Sequence, residues 1–269
     1  MKILVLGSSG YIGSNFANFL TRQNHHVLEF DIKLNKTHDL RNENNKVLES
    51  YLQRVDFVFF FAFDIGNSTY IKEKNMDFSF INSNTRLMIN TFCSISKFYK
   101  PFVFISSQMA ANVELTYGVL KKLGENMSKS IGGVNCRIWN VFGGLNSENT
   151  DHVMMDFKNS AKSGEIILLT NGDERRQFIE MEDLCQMLYI IMISFETYKN
   201  VDYIDLTSHF WIKIKDLAKI FAEYYEIDVR PSSVKAISDT DRSPNNHLIY
   251  SKYTIEILTK KIQLWLKQH

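Results

Sequence analysis

A tyrosine and a lysine lie four residues apart in a predicted helix, and a serine precedes the tyrosine by ten residues. Tyr117 and Lys121 share one helix face, because residues i and i+4 lie one turn apart. An ammonium group beside a phenol lowers the pKa of the phenol, which then exchanges protons near neutral pH. Ser107 ends an apolar run that predicts a buried strand, so its hydroxyl is expected at the ligand-binding edge of a sheet. The three residues indicate acid–base chemistry on a hydroxyl or ketone; the alternative is a surface lysine after a core tyrosine.

Three glycines follow a short apolar run at the start of the chain. Gly7, Gly10 and Gly13 stand between a predicted strand at 2–6 and a helical pattern near 11–23. A strand that turns through glycines into a helix lets backbone N–H groups approach a pyrophosphate closely. This context predicts a dinucleotide-binding site.

The acidic residue after the second predicted strand bears on which dinucleotide binds. Asp31 follows Gly13 by 18 residues, where a carboxylate accepts hydrogen bonds from the adenosine ribose and repels a 2′-phosphate. The sequence therefore favours NAD(H) over NADP(H), despite Lys33 nearby; the alternative is that Asp31 only begins a turn. Tyr11 and Ile12, at the start of the first helix, are further predicted cofactor-binding residues.

Short apolar runs alternate with helical patterns through the first half of the chain. The predicted strands are 2–6, 26–30, 56–62, 101–106 and 134–139, and the predicted helices are 11–23, 45–53, 78–98 and 117–130. Such alternation predicts an α/β fold with a Rossmann-like, doubly wound parallel sheet.

After about residue 145 the pattern changes to a smaller α+β lobe. The elements predicted there are helices near 152–163, 183–194, 213–225 and 252–267, strands at 165–169 and 202–206, and an extended segment at 176–179. The expected division is a dinucleotide-binding domain at 1–145 and a substrate-binding lobe at 146–269, not strictly contiguous.

The overall composition limits the classes of partner. The formal net charge of the 269 residues is +1, which gives no reason to expect nucleic acid or an anionic membrane surface. No apolar run approaches the ~18 residues of a membrane span. The three cysteines lack metal-ligand spacing, so we expect no metal site and a reducing, cytoplasmic compartment.

In this order, the motifs resemble those of the extended short-chain dehydrogenase/reductases, specifically the nucleotide-sugar epimerase/dehydratase branch. Further similarities are Asp39-Leu40, the segment ending at Ala62, the stretch Arg137-Ile-Trp-Asn-Val-Phe-Gly143, and Arg176-Gln-Phe-Ile with Asp183. The resemblance covers nearly the whole chain.

The resemblance implies roles for individual catalytic residues. Tyr117 would be the general acid/base, Ser107 would hydrogen-bond the reacting oxygen, and Lys121 would hold the nicotinamide ribose. Asp39 and Leu40 would lie near the adenine.

The resemblance also implies binding residues beyond the catalytic group. Ala62 would line the cofactor groove, and Gln108 would lie at the substrate. Asn140 and Arg176 would bind the nucleotide diphosphate. The alternatives are a turn residue bonding its own backbone for Asn140, and an ion pair with Glu174 or Glu180 for Arg176.

Three departures from the family pattern narrow the function. Gln108 and Met109 replace the Asp-Glu pair of the dehydratases and cannot do acid–base work, so dehydration is not expected. Phe63 stands where a small residue is usual, and either narrows the cofactor groove or marks local repacking. The short connection between Ser107 and Tyr117 is similar to that of the smaller 4-keto-sugar reductases of bacterial surface-polysaccharide pathways.

The prediction is therefore an NAD(H)-dependent nucleotide-sugar enzyme, with reduction of an NDP-4-keto-6-deoxy sugar as the favoured reaction. The first alternative is an NDP-sugar 4-epimerase with resident NAD. A further alternative is a non-catalytic NAD-binding regulatory protein.

The resemblance also implies a homodimer formed through the helices at 78–98 and 117–130, although Phe80, Leu87, Met88 and Phe92 would equally serve an intramolecular core.

Overall fold

A computed structural model describes residues 1–145, 153–235, 243–245, 247–248, 250 and 252–268. The strands are β1 (Lys2–Leu6), β2 (His26–Phe30), β3 (Phe57–Phe60), β4 (Phe102–Ser107), β5 (Val134–Ile138), β6 (Asn140–Phe142), β7 (Glu165–Ile167), β8 (Arg175–Arg176), β9 (Phe178–Glu180), β10 (Ile204–Leu206), β11 (Ile212–Lys213) and β12 (Asp228–Arg230). The helices are α1 (Tyr11–Arg22), α2 (Lys46–Leu52), α3 (Ser68–Glu73), α4 (Phe78–Phe98), α5 (Thr116–Ser130), α6 (Val153–Lys162), α7 (Met181–Ile193), α8 (Phe195–Tyr198), α9 (Ile214–Tyr225) and α10 (Ile255–Gln268).

The chain forms two compact units. The first unit comprises Met1–Ile138 with Cys185–Leu206, and the second comprises Trp139–Leu184 with Thr207–His269. The predicted functional division into 1–145 and 146–269 stays a prediction.

The first unit is built on a six-stranded sheet in the order β10-β5-β4-β3-β1-β2. Every neighbouring pair is parallel. β10, which the sequence predicts at 202–206, pairs with β5 through Ile204↔Cys136. The large sheet therefore takes a strand from well beyond residue 145.

Two adjacent phenylalanines of β3 show that helices cover both faces of this sheet. Phe59 packs edge-to-face on Phe16 of α1, with ring centroids 4.5 Å apart. Phe60 packs on Phe92 of α4, with centroids 5.2 Å apart. Because successive strand residues point to opposite faces, α1 and α4 lie on opposite sides of the sheet. The prediction of an α/β, Rossmann-like, doubly wound fold is confirmed.

β3 is shorter than the predicted run at 56–62, for a reason visible in its hydrogen bonds. The N–H groups of Phe61 and Ala62 both donate to the carbonyl oxygen of Leu6, at 2.9 and 3.0 Å. Regular parallel pairing cannot continue when two successive amides share one acceptor. The chain therefore leaves the sheet at Phe60 and brings Ala62 beside the glycine turn.

The second unit contains three two-stranded sheets: β6 with β9 and β7 with β12 are parallel, and β8 with β11 is antiparallel. Its apolar core is formed by residues of α6, α9 and α10, including Phe157, Phe221 and Trp265. The helix predicted near 152–163 is α6, and residue 152 lies outside the described residues.

Candidate cofactor and catalytic site

The glycine turn brings Gly7, Gly13 and Ala62 into close contact. Gly7 has a φ of +86°, and a Cβ atom there would lie 2.5 Å from the nitrogen of Ala62. A Cβ atom at Gly13 would lie 2.2 Å from the carbonyl oxygen of Gly7. The backbone is therefore packed as tightly as a diphosphate-binding turn requires, with no room for side chains.

The turn also offers unsatisfied hydrogen-bonding groups. Helix α1 begins after Gly10, which supplies no side-chain cap, and its first turn holds no acidic residue. The hydroxyl of Ser8 is buried and has no hydrogen-bond partner among the described residues. A helix N-terminus without a side-chain cap, together with the hydroxyl of Ser8, fits a bound diphosphate.

The carboxylate of Asp31 is fixed beside this turn by two backbone N–H groups. Asp31 Oδ2 accepts from Ser9 N at 3.0 Å, and Oδ1 accepts from Lys33 N at 2.8 Å. The structure thus brings Asp31 to the glycine turn, where the sequence expects it to meet the adenosine ribose.

The other predicted adenine-side residues are arranged differently. Asp39 forms a two-point ion pair with Arg41, with both N···O distances 2.8 Å. The hydrogen bond from Arg41 holds the pKa of Asp39 below its ordinary range. The side chain of Leu40 is buried in the core of the first unit. Tyr11 and Ile12 are half-buried at the start of α1.

Ser107, Tyr117 and Lys121 lie in the first unit, on β4 and α5. Ser107 is the last residue of β4, and its hydroxyl is hydrogen-bonded to that of Tyr117. Tyr117 and Lys121 are buried, and Lys121 Nζ donates to the carbonyl oxygen of Ile105 at 2.8 Å. The carbonyl of Ile105 is a partner that the side-chain pattern of the sequence could not reveal.

The electrostatics of Tyr117 differ from the expectation. Burial raises the pKa of Tyr117, and its hydrogen bond with Ser107 only partly opposes this. Burial also lowers the pKa of Lys121 to about 7, although the nearby Glu125 carboxylate acts in the other direction. The pKa of Tyr117 is therefore raised where the sequence predicts a lowered one, because desolvation of the buried phenol outweighs its hydrogen bond with Ser107.

The connection between Ser107 and Tyr117 is a short 3₁₀ turn, Gln108–Ala111, held against α5. A Cβ atom at Gly118 would lie 2.0 Å from the carbonyl oxygen of Asn112 and 2.4 Å from that of Met109. Gly118 is therefore what allows the turn to lie so near α5. Gln108 is half-buried in this turn.

Glu125 forms the polar centre of the first unit. Its Oε1 atom accepts from Ser106 Oγ at 2.7 Å and from Arg137 Nε at 2.6 Å. The Arg137 guanidinium also lies over the ring of Tyr203, 3.5 Å from its centroid. The network joins α5 to the residue before Ser107, a role that the sequence motif alone did not indicate.

The predicted diphosphate-binding residues lie in the second unit. Asn140 Nδ2 donates to the carbonyl oxygen of Gln177 at 2.8 Å, so Asn140 bonds a neighbouring segment rather than its own backbone. Arg176 precedes Gln177 and is half-buried, and burial lowers its pKa. Gln177 is itself buried and accepts from Thr207 Oγ1 at 3.0 Å. The structure brings Asn140 and the segment around Arg176 together, and adds Gln177 to the group.

The model of the NAD dependent epimerase/dehydratase family matches residues 3–203. The chain belongs to this family. The match spans the glycine turn, Asp31 and the Ser107, Tyr117 and Lys121 group, so the predicted relationship and its NAD cofactor are confirmed. No curated protein matches the sequence.

Solved structures of similar fold belong to enzymes that carry out different reactions. UDP-N-acetylglucosamine 4-epimerase from Methanobrevibacter ruminantium M1 is 19% identical, with a TM-score of 0.75, over 99% of this chain and 97% of that one. GDP-mannoheptose C4 reductase from Campylobacter jejuni with NADP bound is 16% identical, with a TM-score of 0.76, over 99% and 97%. An NAD-dependent NDP-hexosamine 5,6-dehydratase of tunicamycin biosynthesis is 16% identical, with a TM-score of 0.75, over 100% and 98%. At these identities the similarity shows the fold alone.

One departure from the epimerase/dehydratase family pattern, Phe63, lies directly on Lys121. The ring centroid of Phe63 is 3.8 Å from Lys121 Nζ, and the ring packs edge-to-face on Tyr117 at 5.7 Å. Of the two expectations for Phe63, the structure shows local repacking, with the aromatic ring against Tyr117 and Lys121.

The described part of the chain contains neither a cluster of metal-ligating side chains nor a helix that could span a membrane. Among these residues, no group of three or more His, Cys, Asp or Glu side chains could hold a metal ion. Within the same residues, every helix is too short or too polar to cross a bilayer. The predicted absence of a metal stays a prediction.

Proposed function

We propose that this protein reduces the keto group of a nucleotide-diphosphate sugar with NADH, and that an NDP-4-keto-6-deoxy sugar of surface-polysaccharide biosynthesis is its substrate. The observation that carries this proposal is the state of Tyr117, which is buried, hydrogen-bonded to Ser107 and raised in pKa. A phenol with a raised pKa stays protonated at neutral pH, so Tyr117 holds the proton that a general acid must transfer. Reduction of a ketone needs a proton donor in its first step, whereas oxidation of an alcohol needs a base.

The residues of the chain would then act in a simple order. Ser107 would donate a hydrogen bond to the keto oxygen. Tyr117 would transfer its proton to that oxygen as the keto group is reduced to an alcohol. Bound NADH supplies the hydride. Lys121 would hold the nicotinamide ribose, and water would then return the lost proton to Tyr117.

Binding of the substrate would depend on the second unit. Asn140 is an amide donor and Arg176 a guanidinium donor, and a guanidinium binds phosphate oxygens in two-point geometry. Burial lowers the pKa of Arg176, because the charged guanidinium is less well solvated there than in water. A diphosphate would relieve that cost, which supports the proposed role.

Dehydration is the reaction that the site supports least. Gln108 and Met109 follow Ser107 in the 3₁₀ turn. Neither side chain exchanges protons, so the elimination of water from the sugar lacks its acid and its base.

A second candidate is a 4-epimerase with resident NAD. The fixed carboxylate of Asp31 favours it, since NAD rather than NADP suits an enzyme that oxidises and re-reduces the same sugar. A non-catalytic NAD-binding protein is opposed by the presence of Ser107, Tyr117 and Lys121 together.

Two measurements separate these functions. The first is to denature the purified protein and analyse the released small molecules for NAD(H). A dissociable-cofactor reductase is expected to release little, whereas stoichiometric NAD would support the epimerase.

The second measurement is oxidation of NADH in the presence of NDP-4-keto-6-deoxy sugars carrying different nucleosides. Wild type should turn over at least one of them, and Tyr117→Phe should lose about 10²–10⁴-fold in rate while still binding NADH. Undiminished turnover by Tyr117→Phe would contradict the mechanism.

We also propose a cytoplasmic homodimer formed through α4 and α5. Phe80, Met88 and Phe92 are buried in the core of the first unit, but Ile89, Val119 and Leu123 on the same two helices are exposed. The three cysteines are free thiols, as a reducing compartment favours. Light scattering of wild type and Val119→Lys tests the dimer; equal masses corresponding to a monomer would refute it.

A further inference from the structure

The aromatic ring of Phe63 covers the ammonium group of Lys121. Phe63 follows Ala62, whose backbone packs against Gly7 of the glycine turn. The ring therefore stands at the carboxyl edge of the sheet, with Lys121 Nζ 3.8 Å from its centroid and the ring of Tyr117 against its side.

Lys121 has few other partners for its positive charge. An ammonium group carries three N–H donors, and the described residues offer one hydrogen-bond acceptor, the carbonyl oxygen of Ile105 at 2.8 Å. The ring of Phe104 is more distant, with its centroid 5.2 Å from Nζ. In this buried position, the negative face of the Phe63 ring takes the place of further acceptors.

Sugar hydroxyls bind an ammonium group through its N–H donors, and the Phe63 ring covers one side of that group. A ribose and the Phe63 ring therefore compete for one face of Lys121. An attraction between a desolvated cation and an aromatic ring is strong enough to weaken a competing ligand measurably.

We propose that Phe63 holds Lys121 in the cofactor-free protein and must leave it when the nicotinamide ribose binds, so that NAD(H) is bound weakly and exchanges with solvent. This inference rests on the proposed function, which assigns the ribose to Lys121. It makes Phe63 the residue that separates a cofactor-exchanging reductase from an enzyme with resident NAD.

The direct test is fluorescence titration of NADH into wild type, Phe63→Leu and Phe63→Met. Both variants keep apolar bulk but lack the aromatic face. We expect each to bind NADH roughly tenfold more tightly, equivalent to about 1.4 kcal/mol, and to retain more NAD(H) on purification. Phe61→Leu is the matched control, because Phe61 packs on Phe16 rather than on Lys121, and should bind NADH as wild type does.

Far-UV circular dichroism would show which variants are folded, and either Phe63 variant suffices for the test. Unchanged or weaker NADH binding by a folded Phe63 variant would overturn the inference, since the ring would then not compete with the cofactor.

A further variant, Lys121→Met, separates this inference from the proposed function. Weaker NADH binding by Lys121→Met together with tighter binding by Phe63→Leu supports both proposals. Weaker binding by Lys121→Met without tighter binding by Phe63→Leu overturns only the role of Phe63. Unchanged binding by Lys121→Met overturns the assignment of Lys121 to the ribose, and the competition with it.

Discussion

Glu125 and Arg137 form a two-point ion pair inside the first unit, with N···O distances of 2.6 and 2.7 Å. Only 2% of the Glu125 side chain and 4% of the Arg137 side chain are exposed. Burial alone would raise the pKa of Glu125, but hydrogen bonds from Arg137 and Ser106 outweigh it and leave the pKa below its ordinary value. Each charge therefore depends on the other to remain inside the fold.

Removing one member of this pair should be costly. We expect Glu125→Ala to lower the free energy of unfolding by about 3–5 kcal/mol, because it leaves a buried guanidinium without its partner. Lys97→Ala removes an exposed ion pair with Glu49 and should cost far less, because solvent screens the attraction between exposed charges. Urea unfolding of the two variants checks the contrast, and equal losses would show that Glu125 is not the structural centre of the unit.

The contact between Gly13 and Gly7 predicts an intolerant position. A Cβ atom at residue 13 meets a backbone oxygen at 2.2 Å, which no side-chain rotation can relieve. Gly13→Ala should therefore destabilise the protein by about 1–3 kcal/mol or more and weaken NADH binding by shifting the turn. Thermal unfolding and NADH titration measure the two effects.

The matched control for that variant is Gly132→Ala. Gly132 has a φ of +81° but nothing within 4 Å of its added Cβ atom, so only backbone strain is expected and NADH affinity should not change. Similar losses of affinity in both variants would argue that the glycine turn does not bind the cofactor.

Much of the first unit could be predicted from sequence because its signals are local. The apolar runs at 3–6 and 102–105, within the predicted strands 2–6 and 101–106, are typical of parallel strands buried on both faces. β1 has the predicted bounds. The spacing of glycines and the acidic residue after β2 follows from backbone geometry, so Asp31 lies where expected.

The remaining features depend on contacts between distant segments. β10 joins β5 from nearly 70 residues away. β12 has only three residues, which is too short for its alternation to predict a strand. The pKa of Lys121 is set by its burial and, in the opposite direction, by the Glu125 carboxylate. Neither effect can be inferred from a Tyr-x-x-x-Lys pattern. The second unit is harder to predict from sequence because its strands have only two or three residues each.

Asp31 should control which dinucleotide is preferred. Its carboxylate is held by Ser9 N and Lys33 N, and repulsion between it and a 2′-phosphate a few ångströms away is about 1–4 kcal/mol. Asp31→Asn should therefore reduce the preference for NADH over NADPH by roughly tenfold or more. The ratio of the two dissociation constants is the measurement.

Asp56→Asn is the matched control for Asp31→Asn in this measurement of cofactor preference. Asp56 also accepts a backbone N–H, from Lys2 at 2.7 Å, but it lies at the amino end of β3. The cofactor preference should be unchanged in this variant. If Asp31→Asn kept the wild-type ratio as well, the carboxylate would not face the ribose.

The lowered pKa of Lys121 predicts a specific dependence of stability on pH. Between pH 7 and 10.5 the unfolded chain binds a proton that the folded protein lacks, because the pKa of Lys121 falls from 10.5 to about 7 on burial. Wild-type stability gains from rising pH through this window, and Lys121→Met loses that gain. The free energy of unfolding of Lys121→Met minus that of wild type should therefore decrease as pH rises, by at most about 1.4 kcal/mol per unit.

Urea unfolding at several pH values above 7 measures this difference, with Leu120→Met as a buried, non-titrating control in the same helix. A pH-independent difference for Lys121→Met would mean that Lys121 remains fully charged inside the fold.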